Sequence, residues 1–170
     1  MKFIVCSFFL LFSFFTNTHA QVKRGGTLSY CHSDYIRNLY PHNITDAISY
    51  NVANHVYEGL FRFDASDLST KKCLAESYSV DSTGTVYTIT LKKNVFFHDD
   101  ACFKGGKGRE MTSEDIRYCF TKLCMQDISN QGFQTFQNIL KGANEYYEAS
   151  ANGVTPGFRL EGIRIVDRYS

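Results

Sequence analysis

Hydrophobic positions recur every three or four residues in two stretches of the chain, and this spacing predicts helices. The first stretch runs from residue 47 to residue 60, where Gly59 is expected to end the helix. The second follows Thr112 and Ser113, either of which can cap the free amides of a helix start. Its apolar stripe consists of Ile116, Cys119, Phe120 and Leu123. Weaker helical patterning extends over residues 133–149, interrupted by a glycine.

Alternation of apolar and polar residues, which is the period of a strand, is clearest in residues 75–91. Tyr78 and Val80 alternate before a central polar stretch, and Tyr87, Ile89 and Leu91 alternate after it. The polar stretch, Asp-Ser-Thr-Gly at positions 81–84, has the composition of a turn. This region is therefore predicted to form a β-hairpin.

Shorter segments with extended character flank these elements. They are residues 26–31 (GTLSYC), 61–64 (FRFD) and 162–167 (GIRIVD). Helices and strands follow one another without a regular βαβ rhythm, and the sequence contains no internal repeat. The fold class is expected to be α/β with α+β character.

The first 20 residues have the composition of a secretory signal peptide. Lys2 gives a positive start, residues 3–15 are almost wholly apolar, and a short polar stretch ends in the small residue Ala20. The apolar run is shorter than the roughly 20 residues that a membrane-spanning helix needs. We expect cleavage after about Ala20 and export, with no direct membrane span afterwards. A retained N-terminal anchor is the alternative.

Neither charge nor glycine content indicates a nucleic-acid or nucleotide partner. The 18 basic and 17 acidic residues give a net charge of +1 and are interleaved along the chain. The glycine-rich and lysine-rich loop at residues 104–109 lacks the GxxxxGK followed by Ser or Thr that defines a phosphate-binding loop. A solvated loop is the interpretation favoured there.

The cysteine count leaves the pairing of thiols open. Cleavage after Ala20 would leave five cysteines: Cys31, Cys73, Cys102, Cys119 and Cys124. An odd number means that at least one thiol stays outside any intramolecular disulfide. No CxxC pair is present, so a zinc ribbon has little support.

The sequence His98-Asp99-Asp100 joins residue types that bind metals and transfer protons. Adjacent residues of an extended chain point to opposite faces, so a metal site would need a further ligand, such as His32 or Cys31. Short acidic residues also cap backbone amides in turns, and this second interpretation is favoured. No GxSxG elbow is present either, so neither a metal ligand nor a catalytic residue is predicted.

Five short motifs follow one another along the chain: GGTL at 25–28, YEGL at 57–60, LAES at 74–77, FHD at 97–99 and TSEDI at 112–116. In this order they resemble the N-terminal part of the periplasmic solute-binding proteins of ABC importers, in the oligopeptide-, dipeptide- and nickel-binding family (family 5). Two positions depart from the family pattern. Tyr40 precedes Pro41 where the family usually has Asp-Pro, and Asp100 stands where it usually has glycine.

The resemblance implies a partial first lobe of a two-lobed, type II-like periplasmic-binding-protein fold. After the signal peptide at 1–20, residues 21–45 would start lobe one and residues 46–160 would form an inserted subdomain. Residues 161–170 would be a truncated return strand. Members of the family are far longer, so the chain is expected to be an N-terminal fragment.

The resemblance also implies a non-enzymatic, cofactor-free protein of the periplasm. It would capture an oligopeptide or a similar small solute for an ABC permease in the inner membrane, and nickel and haem remain possible ligands. In the family the loop after the first strand faces the ligand cleft, which makes His32, Ser33 and Asp34 the candidate ligand-binding residues. Two alternatives remain: an exported metal-dependent hydrolase using His98 with Asp99 or Asp100, and a small self-contained interaction domain.

Overall fold

The computed structural model describes residues 25–27, 29 and 31–170. The signal peptide predicted at residues 1–20 lies outside these residues. The chain divides after Cys31 into two compact units, and the helices and strands given below belong to the second. In the first unit the strand predicted at 26–31 is not formed by its described residues. Gly26 has a φ of 113°, which lies outside the strand region of backbone conformation.

Helix α1 spans Ala47–Val56 and begins where the pattern predicted. The side chain of Asp46 caps it by accepting a hydrogen bond of 2.8 Å from the amide of Ser49. The helix ends three residues before Gly59, which corrects the predicted end. The carbonyl groups of Gly59 and Leu60 accept hydrogen bonds from the amides of residues 73–75. The backbone at residues 59–60 therefore pairs with a later segment and does not continue the helix.

Helix α2 spans Ser113–Leu123, and of the two predicted caps, Thr112 and Ser113, the structure has Thr112 at the N-cap. Thr112 and Asp115 form a capping box, in which the amide of Thr112 donates to the Asp115 carboxylate over 2.8 Å. Ile116, Phe120 and Leu123 are half-buried, but Cys119 is exposed and does not belong to the apolar stripe.

Helix α3 spans Ala143–Ala149 and covers only the end of the region predicted as helical. Gly142, with a φ of 78°, sits at its N-cap. Before it, a single 3-10 turn covers Phe133–Thr135. The break predicted at the glycine is therefore real, and the residues in front of it are irregular.

The strands form two separate two-stranded antiparallel sheets. β1 (Phe61–Phe63) pairs with β2 (Thr70–Lys72), and β3 (Ala75–Val80) pairs with β4 (Tyr87–Leu91). The second pair confirms the predicted hairpin, with a bulge next to Ala75. No pattern in the sequence indicated β2, because its three residues are polar and exposed and carry no alternation.

The segment predicted as a strand at 162–167 does not form one. Ile163 and Ile165 are half-buried while Arg164 and Val166 are exposed, so the alternation of faces is real. A strand also needs an edge to pair with. In the described chain its hydrogen bonds lie near its two ends: the amide of Gly162 donates to the Lys141 carbonyl, and the carbonyl of Asp167 accepts from the Ser113 hydroxyl.

The main apolar cluster lies in the C-terminal half of the second unit. Its buried members are Cys124, Met125, Ala143, Tyr146 and Leu160, and Phe133, Phe136, Leu140 and Ile163 pack against it. On the hairpin side Ala75, Leu91 and Met111 are buried. No helix in the described part of the chain is both long and apolar enough to cross a membrane.

Candidate functional site

The loop that carries the candidate ligand-binding residues is anchored by helix α1. The buried hydroxyl of Ser49 accepts hydrogen bonds from the amides of Arg37, over 3.1 Å, and Asn38, over 3.4 Å. Nearer the start of the loop, His32 is half-buried, and Ser33 and Asp34 are exposed. The structure therefore holds residues 37–38 in place and leaves the side chains of Ser33 and Asp34 accessible.

Asp34 is the most defined polar group of this loop. One carboxylate oxygen accepts a hydrogen bond of 2.8 Å from the amide of Tyr35, and the other pairs with the guanidinium of Arg37 over 2.9 Å. The Arg37 guanidinium also lies 5.6 Å from the centre of the Tyr35 ring. Because an ionised carboxylate has about four acceptor positions, Asp34 can still accept hydrogen bonds from a ligand.

Asp99 and Asp100 close a turn, as the favoured interpretation predicted. Asp99 accepts hydrogen bonds from the amide of Gly108, over 3.0 Å, and from the ammonium of Lys107, over 2.5 Å. Asp100 accepts one of 2.9 Å from the amide of Cys102. The Lys107 contact lowers the pKa of Asp99, and the Cys102 amide lowers the pKa of Asp100, so both carboxylates are ionised at neutral pH. Within the described residues no group of three or more His, Cys, Asp or Glu side chains is placed to hold a metal ion.

The aromatic pair in front of this turn has two different environments. Phe97 stacks on Phe103 with ring centres 5.7 Å apart, and the Arg109 guanidinium lies 5.0 Å from the Phe97 ring. Phe96 is 61% exposed. Gly108 lies so close to Phe97 that a Cβ atom would come within 1.8 Å of its carbonyl oxygen. The turn therefore depends on a glycine at position 108 as well as on its two acidic residues.

A polar network at Glu110 joins segments that are far apart in the sequence. Its carboxylate accepts hydrogen bonds from the amide of Asn94 over 2.8 Å, from Arg168 over 3.1 Å and from the hydroxyl of Tyr169 over 3.0 Å. The Asn94 amide is the largest cause of a lowered pKa at Glu110. No local sequence signal points to this network, because Glu110 is 58 positions away from Arg168 and 59 positions away from Tyr169 in the sequence.

A cleft of about 270 Å³ lies between helix α2 and the segment 155–160. Arg117, Tyr118 and Thr121 line it from α2, and Tyr146 lines it from α3. The remaining lining residues are Thr155, Pro156, Phe158, Arg159 and Leu160. Sequence reasoning missed this cleft, because its walls come from three segments that carry no common motif.

The chain belongs to a family of bacterial solute-binding proteins. Residues 70–156 match the family model described as "Bacterial extracellular solute-binding proteins, family 5 Middle". This match confirms the family indicated by the five motifs. It covers the hairpin, α2, α3 and the turn at residues 99–108, whereas α1 and β1 precede it.

Similar proteins include two binding proteins and a solved structure. The glutathione-binding protein GsiB of Salmonella choleraesuis is 45% identical over 65 residues, which is 38% of this chain and 12% of that protein. The dipeptide-binding protein of Lactococcus lactis subsp. cremoris is 30% identical over 118 residues, covering 69% of this chain and 20% of that protein. The periplasmic binding protein DppA from Helicobacter pylori, in complex with the peptide STSA, has a TM-score of 0.47 and 22% identity, over 77% of this chain and 23% of that one. The matched part of the chain thus covers less than a quarter of the length of each of these proteins.

Proposed function

We propose that the chain is part of the periplasmic solute-binding component of an ABC importer and that it captures peptides or a related small solute without catalysing a reaction. Membership of the family, over residues 70–156, is the observation that carries this proposal. The relatives named for dipeptide and glutathione both bind short molecules with amide bonds, which supports a peptide-like ligand. The importer would supply an ABC permease as the partner of the loaded protein.

The proposed arrangement places residues 21–45 at the start of the first lobe. Residues 46–160 would form the subdomain inserted into that lobe, and residues 161–170 the segment that returns to it. The turn at residues 99–108 would then belong to the scaffold of the subdomain, because its carboxylates accept hydrogen bonds from the surrounding backbone.

His32, Ser33 and Asp34 are the proposed ligand contacts. An extended peptide offers the same backbone donors and acceptors whatever its sequence, and short polar side chains can bind them. Asp34 is suited to the ammonium group at a peptide N-terminus, since its carboxylate is exposed and keeps acceptor positions beside its pair with Arg37. Ser33 and His32 would bind amide groups beside it.

Calorimetric titration of the native protein, purified from the cells that produce it, tests the proposal. Tri-alanine should bind saturably, and glutathione should be tested beside it as a second peptide-like ligand. Asp34→Asn should weaken tri-alanine binding about tenfold, equivalent to about 1.4 kcal/mol, and should affect N-acetylated tri-alanine much less.

Asp67→Asn is the matched control for this titration. Asp67 is also an exposed aspartate and accepts hydrogen bonds from Ser69 within its own turn. The control variant should keep its affinity within about twofold of the unmodified protein. Absence of saturable binding of either peptide would contradict the proposed function, and equal effects of the two variants would contradict the role of Asp34.

A further inference from the structure

The cleft between α2 and residues 155–160 has a composition suited to a small anion. Two of the nine described residues that line it are arginines, and none of these nine is acidic. Its volume of about 270 Å³ lies just below the range of about 300–1,000 Å³ typical of sites for drug-sized ligands. A molecule the size of one amino-acid derivative fits this space, and a long peptide does not.

The positive charge of the cleft is only partly neutralised. Arg117 uses Nε to donate a hydrogen bond of 2.8 Å to Glu114, and its Nη2 contacts the same carboxylate oxygen, which leaves Nη1 available. Arg159 is exposed, and in the described chain no carboxylate forms an ion pair with it. Lys122 adds a third positive charge nearby, with its ammonium 5.7 Å from the centre of the Tyr118 ring.

The cleft also has an apolar wall, formed by Tyr146 and by apolar residues of the segment that carries Arg159. Tyr146 is 3% exposed and Leu160 is 4% exposed, and both belong to the main apolar cluster. Phe158, half exposed, meets the Tyr146 ring edge-to-face with ring centres 5.7 Å apart. A ligand ring placed against Phe158 and Pro156 would cover apolar surface that is open to water.

We propose that this cleft binds a small organic carboxylate with a compact aromatic or branched apolar group. The carboxylate pairs with Arg159 and with the available nitrogen of Arg117, and the apolar group packs against Phe158 and Pro156. A bare inorganic anion would leave that apolar wall unused, and a neutral apolar molecule would leave the guanidinium groups unused. The site lies on other elements than residues 32–34, and it does not depend on the function proposed above.

Fluorine NMR titration of the native protein tests this site with a matched pair of probes. N-acetyl-4-fluorophenylalanine carries the carboxylate and the ring, and its carboxamide differs only in lacking the charge. The acid should bind saturably, and the amide should bind at least about tenfold more weakly, because the uncharged amide cannot form charge-assisted hydrogen bonds with the guanidinium groups.

Arg159→Gln should raise the dissociation constant of the acid about tenfold. Arg164→Gln is its control, because Arg164 is also exposed and lies further along the chain, outside the cleft lining. That control should change binding less than about twofold, and Asp34→Asn should leave it unchanged. Equal binding of acid and amide, equal effects of the two arginine variants, or no saturable binding of the acid would each overturn the proposal.

Discussion

Two parts of the molecule are stabilised in different ways. The hairpin part, residues 59–115, leaves much of its aromatic surface in water: Phe63 is 74% exposed, Tyr87 63% and Tyr78 58%. It is held mainly by polar contacts, such as Asp99 with Gly108 and Glu110 with Asn94. The helical part, residues 116–163, is built around the buried cluster that includes Tyr146 and Leu160.

The two parts should therefore be sensitive to different kinds of substitution. Burial of apolar area gives a large and non-directional gain, so the helical part should respond most to loss of volume. Exposed polar contacts contribute less, but they fix turn geometry, so the hairpin part should respond to changes of backbone shape and of charge. The substitutions below separate these two kinds of response.

The largest effect is expected in the helical part. Tyr146→Ala removes a buried ring from the cluster and should lower the free energy of unfolding by about 3–5 kcal/mol, as for other aromatic-to-alanine changes in cores. Urea denaturation followed by circular dichroism measures it. The matched control is Tyr87→Ala, an exposed tyrosine of β4, which should cost no more than about 0.5 kcal/mol. Equal costs for both tyrosines would remove the contrast between the two parts.

The next largest effect is expected in the hairpin part, at the turn formed by residues 99–108. Gly108→Ala would place a Cβ atom 1.8 Å from the Phe97 carbonyl oxygen, so the backbone must shift. We expect a loss of about 1–3 kcal/mol, as for other overpacked sites. Gly157→Ala is the control, because its φ is ordinary and nothing lies within 4 Å of the position that the new Cβ atom would take. If Gly108→Ala left the free energy of unfolding unchanged in the same denaturation assay, the turn would not be tightly packed.

A smaller and pH-dependent effect is expected at the start of α2. Burial acts to raise the pKa of Asp115, but the Arg109 guanidinium and the Thr112 amide more than offset this, so the pKa is lowered. The carboxylate therefore stabilises the fold above its unfolded pKa of about 3.9, and this contribution is lost as pH falls through the lower folded value. Asp115→Asn should cost about 1 kcal/mol at pH 7 and should weaken the acid dependence.

Glu114→Gln serves as the control for Asp115→Asn, because Glu114 is in the same helical turn but its side chain is 55% exposed. Its pair with Arg117 should contribute no more than about 0.5 kcal/mol. Chemical denaturation at pH 7 and at pH 3 separates the two variants. A larger effect at Glu114 than at Asp115 would contradict the assignment of the capping box.

The smallest effect is expected at His42, where residues 41–43 meet the helical part. Burial, followed by the positive charge of Lys122, lowers the pKa of this imidazole. A depressed histidine pKa means that the folded state favours the neutral ring. Stability is then fully present above the ordinary pKa of about 6.5 and declines as pH falls below it toward the folded value.

Proton NMR of the His42 ring measures this pKa directly. Lys122→Gln should move the pKa upward, toward its ordinary value, because it removes the second cause of the shift. An unchanged pKa in that variant would mean that Lys122 does not act on His42.

Local chemistry explains which features could be predicted from the sequence. The hairpin, the α2 start at Thr112 and the turn at Asp99 and Asp100 were predictable, because each depends on residues that are close together in the chain. The prediction of a strand at 162–167 was wrong, because a strand also depends on residues that are distant in the chain. Its alternating pattern sets which side chains face inward but does not provide the neighbouring strand.

In the candidate sites, too, contacts between residues that are distant in the chain could not be predicted from the sequence. The family was recognisable from motifs in order. The candidate loop at residues 32–34 rests on the resemblance alone and stays a prediction. The cleft was not recognisable, because Arg117, Tyr146 and Arg159 come together only through packing of the apolar cluster. Likewise, Glu110 meets Arg168 and Tyr169 only in the folded chain.

The central claim is that this chain is part of a solute-binding protein in which His98, Asp99 and Asp100 serve the scaffold. Calorimetric titration of the native protein with tri-alanine, combined with elemental analysis of the same sample, tests it most directly. We expect saturable peptide binding, no stoichiometric zinc, and the same result in the His98→Ala variant. Stoichiometric zinc that is lost in His98→Ala, in a protein that does not bind peptide, would contradict it.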